Sequence, residues 1–139
     1  MIRPSKARLP PAVRRAVVAH ALRDRPRECC GLLVGRHGRV EFAVATANLA
    51  SGQSRFEVDP TEHITLRRAL RRLTPPLEIV GVYHSHPTGP AVPSAADIDE
   101  AWYPDWLHVI ISLAGPRPVV GAFRIRRDLR AALTGRIAE

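Results

Sequence analysis

Between Gly81 and Asp97 the chain reads GVYHSHPTGPAVPSAAD, and three side chains in this stretch are of metal-ligating type. His84 and His86 end an apolar run, Leu77, Ile79, Val80 and Val82, that predicts a buried strand. Strand side chains alternate between faces, so both imidazoles point the same way. Pro87, Gly89, Pro90 and Pro93 then force a turn-rich loop, and Ser94 with Asp97 three positions on has the signature of a helix start. Such a loop can return Asp97 to the two histidines. Two neutral imidazoles and a carboxylate form a three-ligand set suited to zinc with a fourth position left for water, which is the arrangement of a catalytic site rather than a structural one. Each part also has an ordinary reading. A strand histidine is commonly a packed or exposed side chain, and Ser-x-x-Asp before an apolar residue is a capping box.

His84-Ser85-His86-Pro87, seven residues to Ser94 and two more to Asp97, resembles the H-x-H-x7-S-x-x-D signature of the JAMM metalloproteases, also called MPN-plus or JAB domains. All four specified positions are filled. Upstream, Glu28-Cys29-Cys30-Gly31-Leu32-Leu33-Val34-Gly35 is similar to the E-x-C-G-L-L-x-G segment of that family. Phe56-Glu57-Val58-Asp59-Pro60 resembles a strand-to-helix junction of its prokaryotic members, so the resemblance runs from Glu28 to Asp97. It implies an α/β MPN fold, a mixed curved sheet flanked by helices, formed by a single domain over residues 1–139. It further implies one Zn2+ per chain with a bound water, held by His84, His86 and Asp97, with Glu28 as general acid/base and Ser94 donating to the oxyanion. The implied reaction is hydrolysis of a peptide or isopeptide bond after the C-terminal Gly-Gly of a ubiquitin-like modifier or sulfur carrier. From composition alone Glu28 is indistinguishable from Glu41, Glu57 or Glu78 and reads as a surface charge beside Arg27. Only about ten residues separate Asp97 from the next expected strand, leaving no room for the long second insertion of eukaryotic deubiquitinases, so linkage-selective cleavage of ubiquitin chains is not expected.

The elements that must position these residues can be read in chain order. Pro10 and Pro11 open a helix to about Asp24 with an apolar stripe of Val13, Val17, Ala21 and Leu22, and Pro26 ends it. Strands are expected from Cys30 to Gly35 and Val40 to Asn48 about a turn at His37-Gly38-Arg39. A loop from Ala50 to Ser54 precedes a short strand, Phe56 to Val58, and a helix from Pro60 to Leu73 that Pro75 and Pro76 terminate. Beyond Asp97 a helix carries Ile98 and Ala101 to near Trp102, and Leu107–Leu113 and Val119–Arg126 are strands about the Gly115-Pro116 turn. His63 reads as surface and His108 as structural. Asp128 to Glu139 fits a short helix or an irregular cap equally. Interleaved strands and helices without a Gly-rich phosphate loop pack naturally as a mixed sheet flanked by helices.

A chain of 139 residues with 45% apolar content can bury a core without staples. It contains no apolar run of membrane-spanning length and no secretory leader at its start, so a soluble cytoplasmic protein with no membrane partner is expected. Adjacent Cys29 and Cys30 cannot close an ordinary disulfide and read as packing residues of a reduced compartment. The net charge of +8 is almost all arginine, Lys6 being the one lysine, and suits an acidic protein partner. The arginines are dispersed over the first helix, over Arg67, Arg68, Arg71 and Arg72 of the second, and over Arg124, Arg126, Arg127 and Arg130, which reads as solvated surface. With three Phe, two Tyr and two Trp there is little to stack on bases, so nucleic acid is disfavoured as a partner. A zinc deaminase would need P-C-x-x-C and H-x-E, and neither is present. The alternative to an enzyme is a non-catalytic MPN-type scaffold, against which the complete ligand set counts, and either form is compatible with a homodimer.

Overall fold

The computed structural model of the chain describes residues 1–52 and 54–126. In chain order the elements are β1 (Ile2–Pro4), α1 (Pro11–Asp24), β2 (Cys30–Arg36), β3 (Arg39–Thr46), α2 (Pro60–Arg71), β4 (Glu78–His86), α3 (Ala95–Asp99), β5 (Leu107–Ser112) and β6 (Val119–Ile125). The strands form one six-stranded mixed sheet in the order β1-β6-β5-β4-β2-β3, as an α/β fold of the expected kind requires. Every neighbouring pair is antiparallel except β4 and β5, which run parallel because the chain returns between them through α3.

One face of the sheet is covered by α1, which begins at Pro11 where a missing N–H costs nothing. Its Val13, Val17 and Ala21 are buried against Leu33, Tyr83, Leu107, Val109 and Ile111. Each fully buried Val or Leu there stabilises the fold by about 1.5–3 kcal/mol. Tyr83 fits on this face because β2 offers Gly31 beside its ring, and a Cβ at that position would overlap the ring atoms. The Tyr83 hydroxyl is satisfied by His20 Nδ1 at 2.7 Å. Between β2 and β3 the chain reverses at His37 and Gly38, whose φ values of 54° and 73° are those of a two-residue turn matched to strand twist.

The opposite face carries the residues of interest. Leu32, Val82 and His108 lie side by side on β2, β4 and β5, and the next row toward the carboxyl end of β4 is Cys30, His84 and Ile110. A register shift between Leu33 and Val34 brings Ile79 onto this face opposite Val34. Here α2 packs over β4, started by Pro60 and capped by Asp59, whose carboxylate accepts the Thr61 N–H at 2.8 Å.

Three features differ from expectation. β1 pairs with β6, Ile2 opposite Ile125 and Pro4 opposite Phe123, although its exposed residues carry no alternating pattern to announce a strand. Phe56 to Val58 makes a single bridge, Asn48 to Val58, because the Asn48 side chain takes the hydrogen bonds a second strand would have supplied. The helix after Ser94 stops at Asp99 instead of reaching Trp102. Arg127, Arg130 and the tail from Asp128 to Glu139 lie outside the described residues. Among the described residues, no helix is long and apolar enough to cross a membrane.

Candidate metal centre

The β2–β4 register converges the site. Cys30 lies opposite His84, and the ladder continues one step further through Ser85 N–H donating to the Cys29 carbonyl at 3.1 Å. By the two-residue period of a strand, Glu28 shares the face of Cys30 and comes up beside His86. Glu28, His84 and His86 each offer one ligand atom, and the three atoms lie within 4.8 Å of one another. Asp97 arrives from α3, its Oδ2 3.1 Å from Nε2 of both His84 and His86, with the two Nε2 atoms 3.0 Å apart. These three atoms form a nearly equilateral triangle, close to the edge of about 3.3 Å that ~2.0 Å bonds give around a tetrahedral zinc.

Orientation supports the same fit. His86 Nδ1–H donates to the Pro90 carbonyl at 2.7 Å, which orients the ring with Nε2 toward His84 and Asp97. The His84 ring is held by Phe56, stacked at 4.1 Å between centroids and 17° between planes. Asp97 is fixed by a reciprocal cap: its Oδ2 accepts the Ser94 N–H at 2.8 Å while Ser94 Oγ accepts the Asp97 N–H at 3.1 Å. The capping carboxylate and the carboxylate beside the two imidazoles are therefore one side chain in one conformation. Since its hydroxyl oxygen accepts in the cap, the exposed Ser94 keeps its hydrogen for another partner.

Charge is distributed unevenly over the two carboxylates. Glu28 is 5% exposed, and its Oε1 is buried without a hydrogen-bond partner. Burial pushes its carboxyl from 4.5 to about 7, with His86 pulling it down and Asp97 adding to the rise. Burial also acts to raise Asp97, but hydrogen bonds from His84, His86 and the Ser94 backbone hold it well below the usual carboxylate range. Burial lowers His84 against the pull of Asp97, whereas for His86 the bonds to Asp97 and Pro90 outweigh burial and raise it. One carboxylate is thus ionised and fixed, and the other is poised to exchange a proton near neutrality. The surface reading of Glu28 does not hold. Burial also pushes both free cysteines up to about 11, so they stay protonated packing groups, as expected.

Two clefts meet at the cluster. The smaller, about 410 Å³, is lined by Glu28, His86 and Ser94 and by the proline-rich loop from Pro87 to Pro93. The larger, about 700 Å³, reaches His84 and Asp97 across a floor of Leu32, Val82 and His108, walled by Phe56 on one side and Tyr103 and Trp106 on the other. His108 is buried, its Nε2 has no hydrogen-bond partner, and burial followed by the charge of His84 lowers it to about 4. His63 is half-buried rather than on the surface: its Nε2 accepts from Arg67 at 2.9 Å and its ring lies 5.6 Å from Trp106.

Asn48 was not singled out in the sequence, yet it ties the loop beneath Phe56 to the site. Its Nδ2 donates to the Glu28 carbonyl at 2.8 Å and to that of Arg55 at 2.9 Å, and its Oδ1 accepts from Ala50 and Glu57. An Asn at the exit of a strand before a Ser/Gly loop is the signal that could have found it. Tyr103 and Trp106, stacked at 3.9 Å, were likewise visible only as part of an aromatic cluster in a chain that is 5% aromatic.

Residues 10–126 match the family described as prokaryotic homologs of the JAB domain, and the chain belongs to that family. A CysO-cysteine peptidase of Mycobacterium tuberculosis is 35% identical over 114 residues, 79% of this chain and 76% of that protein. A desampylase of Haloferax volcanii is 31% identical over 118 residues, 80% of this chain and 84% of that one. The solution structure of protein DSY2949 from Desulfitobacterium hafniense superposes with a TM-score of 0.75 at 36% identity, covering 85% of this chain and 83% of the other.

Proposed function

We propose that this protein is a zinc-dependent peptidase or isopeptidase that hydrolyses the bond after the C-terminal Gly-Gly of a ubiquitin-like modifier or sulfur-carrier protein. The observation that carries the reading is the convergence of His84 Nε2, His86 Nε2 and Asp97 Oδ2 beside a buried, unpartnered Glu28 carboxyl. Relatives described as a CysO-cysteine peptidase and a desampylase support the substrate class. In this reading the two imidazoles and Asp97 hold the ion, and Glu28 stands outside the ligand set, since Asp97 already closes the triangle at 3.1 Å.

A bound divalent ion supplies Lewis-acid polarisation of a carbonyl and makes water acidic enough to attack near neutral pH. The chain's own groups do the rest. Glu28 takes the proton of the attacking water and returns it to the leaving amine, a task open to a carboxyl whose buried Oε1 has no hydrogen-bond partner. Ser94 donates its free hydroxyl hydrogen to the oxygen on which negative charge develops. The larger cleft receives the extended tail over Leu32, Val82 and His108, and the smaller one receives the leaving group beside His86. Two buried free thiols suit the reducing cytoplasm, where we place the protein.

The test is intact-mass analysis of a ubiquitin-fold protein carrying an extension beyond its Gly-Gly, incubated with zinc-loaded protein and with His86→Ala. The expected result is a new Gly-Gly terminus with the parent alone, and loss of both stoichiometric zinc and cleavage in His86→Ala. Comparing a one-residue extension with a lysine-linked conjugate separates carrier recycling from deconjugation. A zinc-loaded parent that cleaves neither sinks the peptidase reading and leaves the scaffold.

A further inference from the structure

The arginines that look dispersed in sequence are not all dispersed in space. Arg67 and Arg71 of α2 and Arg36 at the end of β2 line a cleft of about 630 Å³ floored by Leu70, Leu77 and Ile79. Tyr103 and Trp106 border both this cleft and the larger one that reaches His84, so the two adjoin across that aromatic pair. Glu78 supplies the one carboxylate among the described residues that line it, against three guanidinium groups. Arg67 is held in place over the Tyr103 ring at 5.9 Å and by its bond to His63. The Arg36 side chain is 37% exposed and forms a loose ion pair with Glu41, Nε to Oε2 3.9 Å, in which the Nε–H itself makes no hydrogen bond. An unsatisfied cationic donor in a concave site is a group that gains from an incoming acceptor.

We propose that this cleft is the docking surface for the folded body of the substrate protein, engaging an acidic face that presents at least two carboxylates. The inference rests on the peptidase reading of the metal centre and adds to it where the body of the substrate sits. Six residues of β4 separate His84 from Glu78, about 20 Å at the ~3.3 Å rise of a strand. An extended tail of about six residues, laid from the metal centre along β4 and past the Tyr103–Trp106 pair, therefore delivers the domain it belongs to onto the arginines. Guanidinium forks pair with carboxylates bidentately, which suits discrete acidic side chains on a protein. A confined hollow of three arginines lacks the extended basic stripe that tracks a nucleic-acid backbone.

The experiment compares two probes: an acidic ubiquitin-fold protein whose flexible tail ends in Gly-Gly plus one residue, and a synthetic peptide of that tail's last eight residues or so. Each is given to the zinc-loaded parent, to Arg71→Glu, to Arg36→Gln/Arg71→Gln, and to Arg14→Glu on the exposed outer side of α1 as a charge control. Arg71 is exposed, so its variant is expected to fold. The cleft variants should lower kcat/KM for the protein relative to the peptide by about tenfold or more, carried by KM, and salt should erode the parent's preference in the same way. Arg14→Glu should leave the ratio where it was. An unchanged ratio in the cleft variants, or an equal fall with both probes, overturns the proposal. If the parent cleaves neither probe, the peptidase reading fails, and calorimetric binding of the same protein still decides the cleft: weaker binding by Arg71→Glu upholds it, while equal or absent binding overturns it. Weakened binding of a short RNA by Arg71→Glu with no change for the protein probe also overturns it.

Discussion

Replacing Glu28 with Gln separates catalysis from stability in one variant. The carboxyl is 5% exposed and its pKa is raised by burial from 4.5 to about 7. A group whose folded pKa lies above its unfolded value contributes most below the unfolded value and loses that contribution as pH rises through the folded one. Here the window runs from pH 4.5 to about 7. At ~1.4 kcal/mol per unit, ionising Glu28 in the folded, metal-free protein costs up to about 3 kcal/mol. The amide has the same shape and nothing to ionise. Metal-free Glu28→Gln should therefore match the parent near pH 4 and exceed it by ~2–3 kcal/mol at pH 8, a rise in Tm of several degrees in a protein of this size. The zinc-loaded variant should bind metal normally and lose ~10²–10⁴-fold in kcat, the usual contribution of a general acid/base. Thermal unfolding from pH 4 to 8 in chelator, alongside turnover of the Gly-Gly substrate with zinc, measures both. A stability difference that does not change with pH would refute the desolvation argument, and near-normal turnover would remove Glu28 from the proton transfer.

Three further outcomes follow from named contacts. Ser94→Ala removes the acceptor for the Asp97 N–H and should cost about 1 kcal/mol, weaken zinc about tenfold through a loosened Asp97, and lower kcat ~10²-fold. Ser94→Thr should recover the unfolding midpoint and zinc affinity, and failure to do so would count against the cap. His108, lowered from 6.5 to about 4 chiefly by burial, contributes stability that is present above pH 6.5 and lost as pH falls through about 4. By about pH 4 the metal-free parent should have lost ~3 kcal/mol relative to His108→Leu, read from urea midpoints, and parallel pH profiles for the two proteins would argue that His108 stays solvated. Gly31→Ala drives a methyl into the Tyr83 ring and should destabilise by roughly 2–3 kcal/mol or more, while a Tm within ~2 °C of the parent would mean that the ring can move aside.

What could be read from the sequence was local. The i, i+2 histidines, the Ser94–Asp97 box and the His37-Gly38 reversal each lie within a few residues, and strand period or turn chemistry fixes their geometry. The α/β sheet followed from the same local signals. Features set by distant pairing were hidden. Without the family resemblance Glu28 looked like a surface charge, because its burial comes from the β2–β4 register, and β1 gave no signal because a three-residue edge strand buries nothing that a pattern could show. Phe56 was legible as part of a short strand but not as the plate against which His84 stacks. Arg67 and Arg71 read as solvated because helical spacing describes one element at a time, whereas the cleft they line is completed by Arg36 of β2 and by residues of β4.

The Ser94–Asp97 pair shows why the ordinary and the functional readings of one motif need not compete. An N-cap needs a side-chain oxygen that accepts from the first turn and a return bond from the third residue, which pins that third carboxylate in one rotamer. A ligand needs the same immobility, since an oxygen that wanders by 1 Å loses much of what it gives a metal or a reaction. In this chain the return bond from Ser94 N–H reaches Oδ2, the very oxygen that lies 3.1 Å from both imidazoles. A five-residue helix is thereby held with its carboxylate against the two imidazoles, and Ser94 is left at the mouth of the cleft with its hydrogen unspent. Spacing of three between Ser and Asp is what a helix turn demands and also what brings Oδ2 to the two imidazoles, so under the proposed function a substitution that breaks the cap should lower zinc affinity before it is felt in the global fold.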